Sequence, residues 1–155
     1  MSAPGYDPGR IMREVFQLAR YWEGILDSGL RETGITAKQL FLVSLLEREF
    51  DGTAPVSVIA NAMLTSHQNI MQMARALERH GFVAITRDTA DRRTRLVSLT
   101  DEHRRFWRAR APHDSEALKA IFAEVPAARW QEFQELLDEV LPLAAARYRE
   151  RSGDI

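Results

Sequence analysis

The sequence contains no cysteine among its 155 residues. A disulfide framework and a thiol-based redox sensor are therefore excluded, and the absence agrees with a cytoplasmic setting. No apolar run approaches the eighteen or more residues of a membrane span, and the N-terminal residues lack the apolar core of a signal peptide. We therefore expect a cytoplasmic protein without membrane contact.

Recognisable catalytic and metal-binding motifs are also missing. The histidines at positions 67, 80, 103 and 113 do not have the spacing of a helical metal site, and no cysteine assists them. No nucleophile elbow, phosphate-binding glycine loop or metalloprotease motif occurs. The sequence accordingly predicts no enzyme, no metal site and no cofactor.

Charge is present but unevenly distributed. The net charge is −1, yet residues 75–110 hold ten arginines against five acidic residues, a surplus of five positive charges. The rest of the chain holds 11 basic and 17 acidic residues, a surplus of six negative charges. This asymmetry predicts a basic face for a polyanion on an acidic body. On charge alone, a solvated helix face rich in arginine stays an open alternative.

Local signals predict helices through the first half of the chain. Asp7 can cap a helix that starts at Pro8, and apolar residues recur there at steps of three and four. Thr36 and Gln39 match the two ends of a capping box for the next helix. "DGTAP", residues 51–55, predicts a turn.

The middle part of the chain begins with two short helices and then changes its period. Ser57 and Ser66 predict the helix caps, and Gly81 predicts the end of the second helix. "FVAITR" (82–87) and "TRLVSL" (94–99) alternate like strands, so we predict a hairpin with a longer loop. We therefore predict a fold that is mostly α with a small β-hairpin.

The last third of the chain predicts two more helices. Pro112 is expected to kink or interrupt the first, and Pro126 fits the start of the second. In that final helix, apolar residues recur at alternating steps of three and four, which is typical of a short coiled-coil-like seam.

The order of elements predicts a winged helix-turn-helix over residues 36–100. The two short helices form the helix-turn-helix, and the hairpin that follows forms the wing. The wing loop contains "DRR", residues 91–93, and a ribbon with a basic tip can reach a DNA minor groove. We expect Asp91 to pair with a nearby arginine and hold the tip. The alternative is an ordinary charged hairpin loop.

The segment "MARALERHGFVAITRDTADRRTRLVSLT" resembles the MarR family of bacterial transcriptional regulators. That family has a helix ending in leucine-glutamate, a glycine turn, an Asp-x-Arg wing and a strand leading into leucine-threonine. The matching residues are Leu77, Glu78, Gly81, Asp91, Arg93, Leu99 and Thr100. One departure is visible, because His103 stands where a glycine is common.

The resemblance implies a homodimer in which each chain is a single MarR-like unit over residues 1–155. Its N- and C-terminal dimerisation helices would be residues 7–30 and 101–150. We predict the interface residues Ile11, Val15, Trp130, Phe133, Leu137 and Val140. The alternative is that the apolar seam packs within its own subunit, because an apolar helical stripe is first of all core.

The resemblance also implies a double-stranded DNA operator, pseudo-palindromic in sequence, as partner. Amide side chains can read adenine, arginine can read guanine, and a helix N-terminus suits a phosphate. The predicted DNA-binding residues are Ser66, His67, Gln68, Asn69, Gln72, Arg75, Asp91, Arg92 and Arg93. For each polar residue, the alternative is a solvated helix surface.

The resulting functional hypothesis is a dimeric repressor that a small aromatic or phenolic effector releases. The residues predicted to line the effector cleft are Tyr21, Trp22, Phe41, Phe106 and Trp107. Ordinary core packing is the alternative for each of these aromatics. For the protein as a whole, the alternative is a winged-helix protein-interaction module without specific DNA binding.

Overall fold

Six helices and three short strands make up the part of the chain that the computed structural model describes, residues 5–152. The ends of the predicted 1–155 unit, residues 1–4 and 153–155, lie outside the described residues. The elements are α1 (Pro8–Leu30), a 3-10 turn (Arg31–Thr33), α2 (Ala37–Glu49), β1 (Thr53–Pro55), α3 (Val56–Ala62), α4 (His67–Arg79), β2 (Val83–Arg87), β3 (Arg95–Leu99), α5 (Asp101–Phe122) and α6 (Ala127–Ser152). The predicted fold class, mostly α with a small hairpin, is confirmed.

Three helix starts follow the predicted caps. The Asp7 carboxylate accepts a hydrogen bond from the backbone N–H three residues on, at 3.1 Å. Thr36 and Gln39 form the full capping box, with bonds of 3.3 and 3.0 Å. Ser66 Oγ accepts from the Asn69 backbone N–H at 3.2 Å. Each cap satisfies a backbone N–H that the helix cannot, which contributes about 1 kcal/mol.

The start of α3 differs from the prediction. The helix begins at Val56 directly after Pro55, and no side chain caps it. Ser57 lies inside the first turn, so its predicted capping role is wrong. The extended backbone of Pro55, which ends β1, places the helix start two residues earlier than the serine indicates.

The sheet contains one strand more than the predicted hairpin. Its order is β1-β3-β2, with both neighbouring pairs antiparallel, and Val97 lies opposite Ala54 on one side and Ile85 on the other. The predicted turn at residues 51–55 is therefore only partly right. Asp51 and Gly52 turn with positive φ angles of 49° and 84°, but Thr53–Pro55 form an edge strand.

The chain divides into two compact units, one ending at Arg110 and the other beginning at Ala111. The core of the first unit lies between α2, α3, α4 and the sheet. The inner stripe of α4, which consists of Ile70, Met73, Ala74 and Leu77, is buried in this core. Fully buried aliphatic side chains of this core include Leu42, Leu46, Ile59, Ile70, Leu77 and Val97.

In the second unit, aromatic rings join the end of α5 to α6. The Trp130 indole N–H donates to the Phe122 carbonyl at 3.0 Å, and the Trp130 ring contacts the rings of Phe122 and Phe133 at 4.8 and 5.9 Å. Pro112 does not interrupt α5, so that alternative of the prediction is wrong. A proline removes a single backbone donor, and helical turns on both sides of it keep their own hydrogen bonds.

Candidate nucleic-acid interface

One face of α4 is polar and exposed. Burial of the opposite stripe, which includes Ile70, Ala74 and Leu77, determines which way this helix is turned. Six residues predicted to contact DNA lie outside the core on or beside this helix. They are Ser66, His67, Gln68, Asn69, Gln72 and Arg75, and all are exposed.

The N-terminus of α4 is organised before any ligand arrives. Ser66 uses an oxygen lone pair to cap the helix, so its hydroxyl proton stays available for an acceptor. The Asn69 side-chain amide donates to Thr65 Oγ1 at 2.8 Å, which holds that side chain at the helix start. Together with the unpaired N–H groups of the first turn, these residues suit a phosphate.

The wing tip is held by its two aspartates. Asp91 Oδ1 accepts from the Arg93 backbone N–H at 3.0 Å, and its Oδ2 accepts from Thr94 Oγ1 at 3.0 Å. Asp88 Oδ1 accepts from the Ala90 backbone N–H at 2.9 Å. The expected pairing of Asp91 with an arginine side chain is therefore wrong. In a tight turn the backbone N–H two residues on is the nearest donor, as in an Asx turn.

This use of the aspartates leaves the wing positively charged. Arg92 and Arg93 are exposed, and neither forms an ion pair with an acid of residues 5–152. In contrast, Arg104 on α5 pairs with Asp101 at 2.7 Å, and Arg105 pairs with Glu102 at 2.8 Å. Part of the basic segment is thus neutralised locally, whereas the wing loop is not.

Hydrogen bonds connect α4 to the wing. Glu78 accepts from the Ile85 backbone N–H at 3.0 Å, and Thr100 Oγ1 donates to the Gly81 carbonyl at 2.6 Å. Gly81 has a φ of 74°, which only glycine adopts readily, so it allows the reversal from helix into strand. Sequence reasoning missed the connecting role of Glu78, although the leucine-glutamate motif contains it.

An aromatic cluster lies behind the wing at the start of α5. Phe106 contacts Phe82 at 4.7 Å and Trp107 at 5.1 Å between ring centroids. His103 lies 6.3 Å from Trp107 and is 2% exposed. Its Nδ1 and the Trp107 Nε1 are buried without a hydrogen-bond partner. Burial lowers the pKa of His103 below its ordinary value, because the charged imidazolium loses its hydration.

The residues predicted to line the effector cleft differ in their surroundings. Phe106 and Trp107 share the aromatic cluster, whereas Tyr21 and Phe41 are exposed and Trp22 is half-buried. His103 was noted in the sequence only as a departure from a family pattern. Its burial could not be foreseen, because it depends on Phe82 and Trp107 closing around it.

The predicted interface residues differ in their exposure. Ile11, Val15 and Val140 are 49%, 52% and 47% exposed in the single chain. In contrast, Trp130, Phe133 and Leu137 are half-buried. Trp130 and Phe133 pack partly within their own unit, which supports part of the alternative considered for the seam.

Within residues 5–152, no group of three His, Asp or Glu side chains is placed to hold a metal ion. None of the helices there is both long and apolar enough to span a membrane.

Comparisons with known proteins agree with this geometry. A model of the MarR family matches residues 33–94, from the turn before α2 to the wing loop. The transcriptional activatory protein BadR of Rhodopseudomonas palustris is 27% identical over 117 residues, which cover 75% of this chain and 65% of the relative. The HTH-type transcriptional repressor MdtR of Bacillus subtilis is 37% identical over 73 residues, covering 47% and 46%. The chain therefore spans less than two thirds of either relative.

Solved structures show the same fold. A MarR protein from Peptoclostridium difficile superposes with a TM-score of 0.75 at 19% identity, covering 97% of this chain and 96% of the other. Reduced AbfR bound to DNA superposes with a TM-score of 0.63 at 20% identity, covering 88% and 91%. The MarR family model thus matches the winged helix-turn-helix region of this chain, residues 33–94, and the chain has the fold of the MarR-family structures.

Proposed function

We propose that this regulator is a dimeric repressor that binds a pseudo-palindromic operator, with α4 in the major groove and the wing in the adjacent minor groove. The observation that carries the proposal is that hydrogen bonds connect two candidate DNA-binding surfaces, α4 and the wing, within one compact unit. The exposed polar face of α4 connects, through Glu78 and Gly81, to a wing loop whose arginines have no acidic partner among residues 5–152.

The two surfaces would read different features of the duplex. Gln68 and Gln72 lie one turn apart on the exposed face of α4, where amides can bind adenine N6 and N7. The Ser66 hydroxyl and the start of α4 would bind a phosphate. Arg93 at the wing tip would enter the minor groove, where the negative potential is concentrated.

The partner for the terminal helices would be a second copy of the chain. Ile11 and Val15 on α1, and Val140 on α6, expose apolar surface that a folded single chain leaves in water. Exposed apolar side chains on each of these helices mark candidate interaction sites. A two-fold dimer presents two copies of α4, which is why the operator should be a pseudo-palindrome.

The same proposal includes the direction of regulation, which is repression, and the chemical class of the effector. One relative is named an activatory protein and the other a repressor, and the repressor has the higher identity, 37% against 27%. An aromatic or phenolic effector would stack on Phe106 and Trp107, which contact the wing through Phe82. The buried Trp107 N–H, which lacks an acceptor, suits a phenolic oxygen.

Selection of bound duplexes from a genomic pool would test the DNA-binding proposal. We expect an enriched pseudo-palindrome whose half-sites are about one helical turn, roughly 10 base pairs, apart. A promoter fused to a reporter then gives the direction of regulation, and repression is expected. Sequence-blind binding at roughly micromolar affinity in physiological salt, without an enriched motif, would instead favour a winged-helix protein-interaction module.

A further inference from the structure

We propose that Arg87 and Arg95 together clamp a single phosphate of the DNA backbone, at the base of the wing loop. The inference rests on the DNA-binding function proposed above and adds a binding site to it. Neither residue belongs to the wing-tip motif, and neither was a candidate from sequence.

The register of the sheet brings the two arginines together. Arg87 and Arg95 are directly opposite each other, in the last pair of the β2–β3 ladder before the loop. Both are exposed, and directly opposite residues have Cβ atoms about 4.5–5.5 Å apart on the same face of a sheet. Two guanidinium groups therefore emerge side by side from one patch of the wing.

The face that carries them points toward the core side of the sheet. Side chains alternate along a strand, so Arg87 shares its face with Ile85, and Arg95 shares its face with Val97. Val97 is fully buried in the core that also contains Leu77 of α4. The arginine pair thus continues the sheet face that packs against α4, beyond the point where the core ends.

Nothing in the described part of the chain neutralises this pair. Like charges directly opposite each other destabilise a sheet, and neither arginine forms an ion pair with an acid of residues 5–152. The acidic side chains nearest in sequence accept hydrogen bonds from backbone N–H groups instead. Asp88 and Asp91 hold the loop, and Glu78 accepts from the Ile85 backbone N–H. A bound anion would relieve a repulsion that the fold leaves in place.

The geometry favours a DNA phosphate as that anion. Arginine presents planar paired donors that match phosphate oxygens. With α4 in the major groove and the wing tip in the minor groove, the sugar-phosphate backbone between the grooves passes along the side of the wing that faces α4. That side carries Arg87 and Arg95, whereas Arg92 and Arg93 lie further out in the loop.

Fluorescence anisotropy on a random-sequence duplex at several salt concentrations tests the clamp without knowledge of the operator. The variants are Arg87→Gln, Arg95→Gln and the double variant, with Arg20→Gln as a control that removes equal charge from α1. Each single change should weaken binding several-fold with almost the same salt slope, because the other arginine still neutralises the phosphate. The double change should lower the slope by about 0.9, the value for one phosphate.

Several outcomes would overturn the clamp. If each single change lowered the slope by about 0.9 and the two losses multiplied, the arginines would bind separate phosphates. Affinities equal to that of the control would show that neither contacts DNA. If the unaltered protein bound no duplex, the proposed function would fail and the clamp with it, whereas unaffected variants of a binding protein would refute the clamp only.

Thermal unfolding of the DNA-free protein separates a binding role from a structural one. Arg87→Gln removes a like-charge repulsion, so the melting temperature should rise at low salt, and the gain should shrink as salt screens the pair. Arg20→Gln breaks an ion pair with Glu23 and should give no such rise. A fall in melting temperature together with weaker DNA binding would show that the pair stabilises the wing, and would overturn the proposal.

Discussion

The winged helix-turn-helix and the terminal helices use similar apolar residues with opposite outcomes. Leu42, Ile70 and Leu77 are fully buried between helices and sheet, whereas Ile11 and Val140 are 49% and 47% exposed. A helical apolar stripe therefore indicates that a face needs covering, and it does not say what covers it. In the first region the cover is the chain itself. In the second we propose that it is another copy.

The largest expected effect would break the proposed pairing of the terminal helices. Val140→Asp leaves a solvated aspartate in a single chain but buries a charge in a dimer, at a cost of several kcal/mol when unpaired. We expect light scattering to show a folded monomer. Gln134→Asp, at an exposed polar position of α6, is the matched control and should remain dimeric. A Val140→Asp protein that stays dimeric would contradict the interface.

A core truncation sharpens the same comparison from the other side. Leu77→Ala removes a fully buried side chain of α4 and should lower the free energy of unfolding by about 2–5 kcal/mol. Leu143→Ala on α6, where the side chain is 65% exposed, should cost less than about 0.5 kcal/mol at dilute protein concentration. Urea titrations of both variants measure the difference, and equal losses would show that the two regions are not distinct.

Within the winged region, α4 and the wing tip should respond differently to mutation. Gln72→Ala should weaken a selected operator by about 1–3 kcal/mol and leave random duplexes nearly unchanged, because the amide reads a base. Arg93→Ala should weaken both by similar factors, because the wing reads charge and groove width. Anisotropy with both duplexes makes the comparison. A Gln72→Ala variant with the same loss on both would refute base reading.

The smallest effect contrasts two histidines of α5, one in each compact unit. His103 is buried and its pKa is lowered in the folded chain, whereas in an unfolded chain the imidazole has its ordinary pKa of about 6.5. The unfolded state therefore binds protons first, so stability is full above the unfolded pKa and falls as the pH drops through it toward the folded pKa. His103→Gln should flatten this decline.

Urea titrations from about pH 7.5 to about pH 5 measure that effect, because histidine changes charge in this range. His113→Gln, at an exposed position in the second unit, is the control and should keep the decline of the unaltered protein. If His103→Gln kept the same pH dependence as His113→Gln, burial of His103 would not be its source.

The parts of the fold that sequence reasoning located correctly depend on short-range chemistry. The Thr36–Gln39 box and the Ser66 cap are contacts over three residues, and Gly81 satisfies a backbone angle at its own position. Such signals can be recognised from the sequence alone. The exposed polar residues of α4 followed in the same way, because the buried stripe of a helix determines its opposite face.

The parts that sequence reasoning missed depend on distant neighbours. β1 is a three-residue edge strand that forms by pairing with β3. Its own residues, without that partner, indicate a turn. Asp91 bonds backbone rather than an arginine side chain, since the closed loop places an N–H nearer.

The amino-acid sequence by itself determined where α2 and α4 begin and which motif the wing carries, because caps, glycine angles and helical periodicity act between residues close in the chain. Only the tertiary structure decided that Arg87 lies opposite Arg95 and that His103 is enclosed by aromatic rings. Strand register and burial are set by hydrogen bonds and packing between segments far apart in sequence, and no local pattern encodes which side chains those contacts bring together.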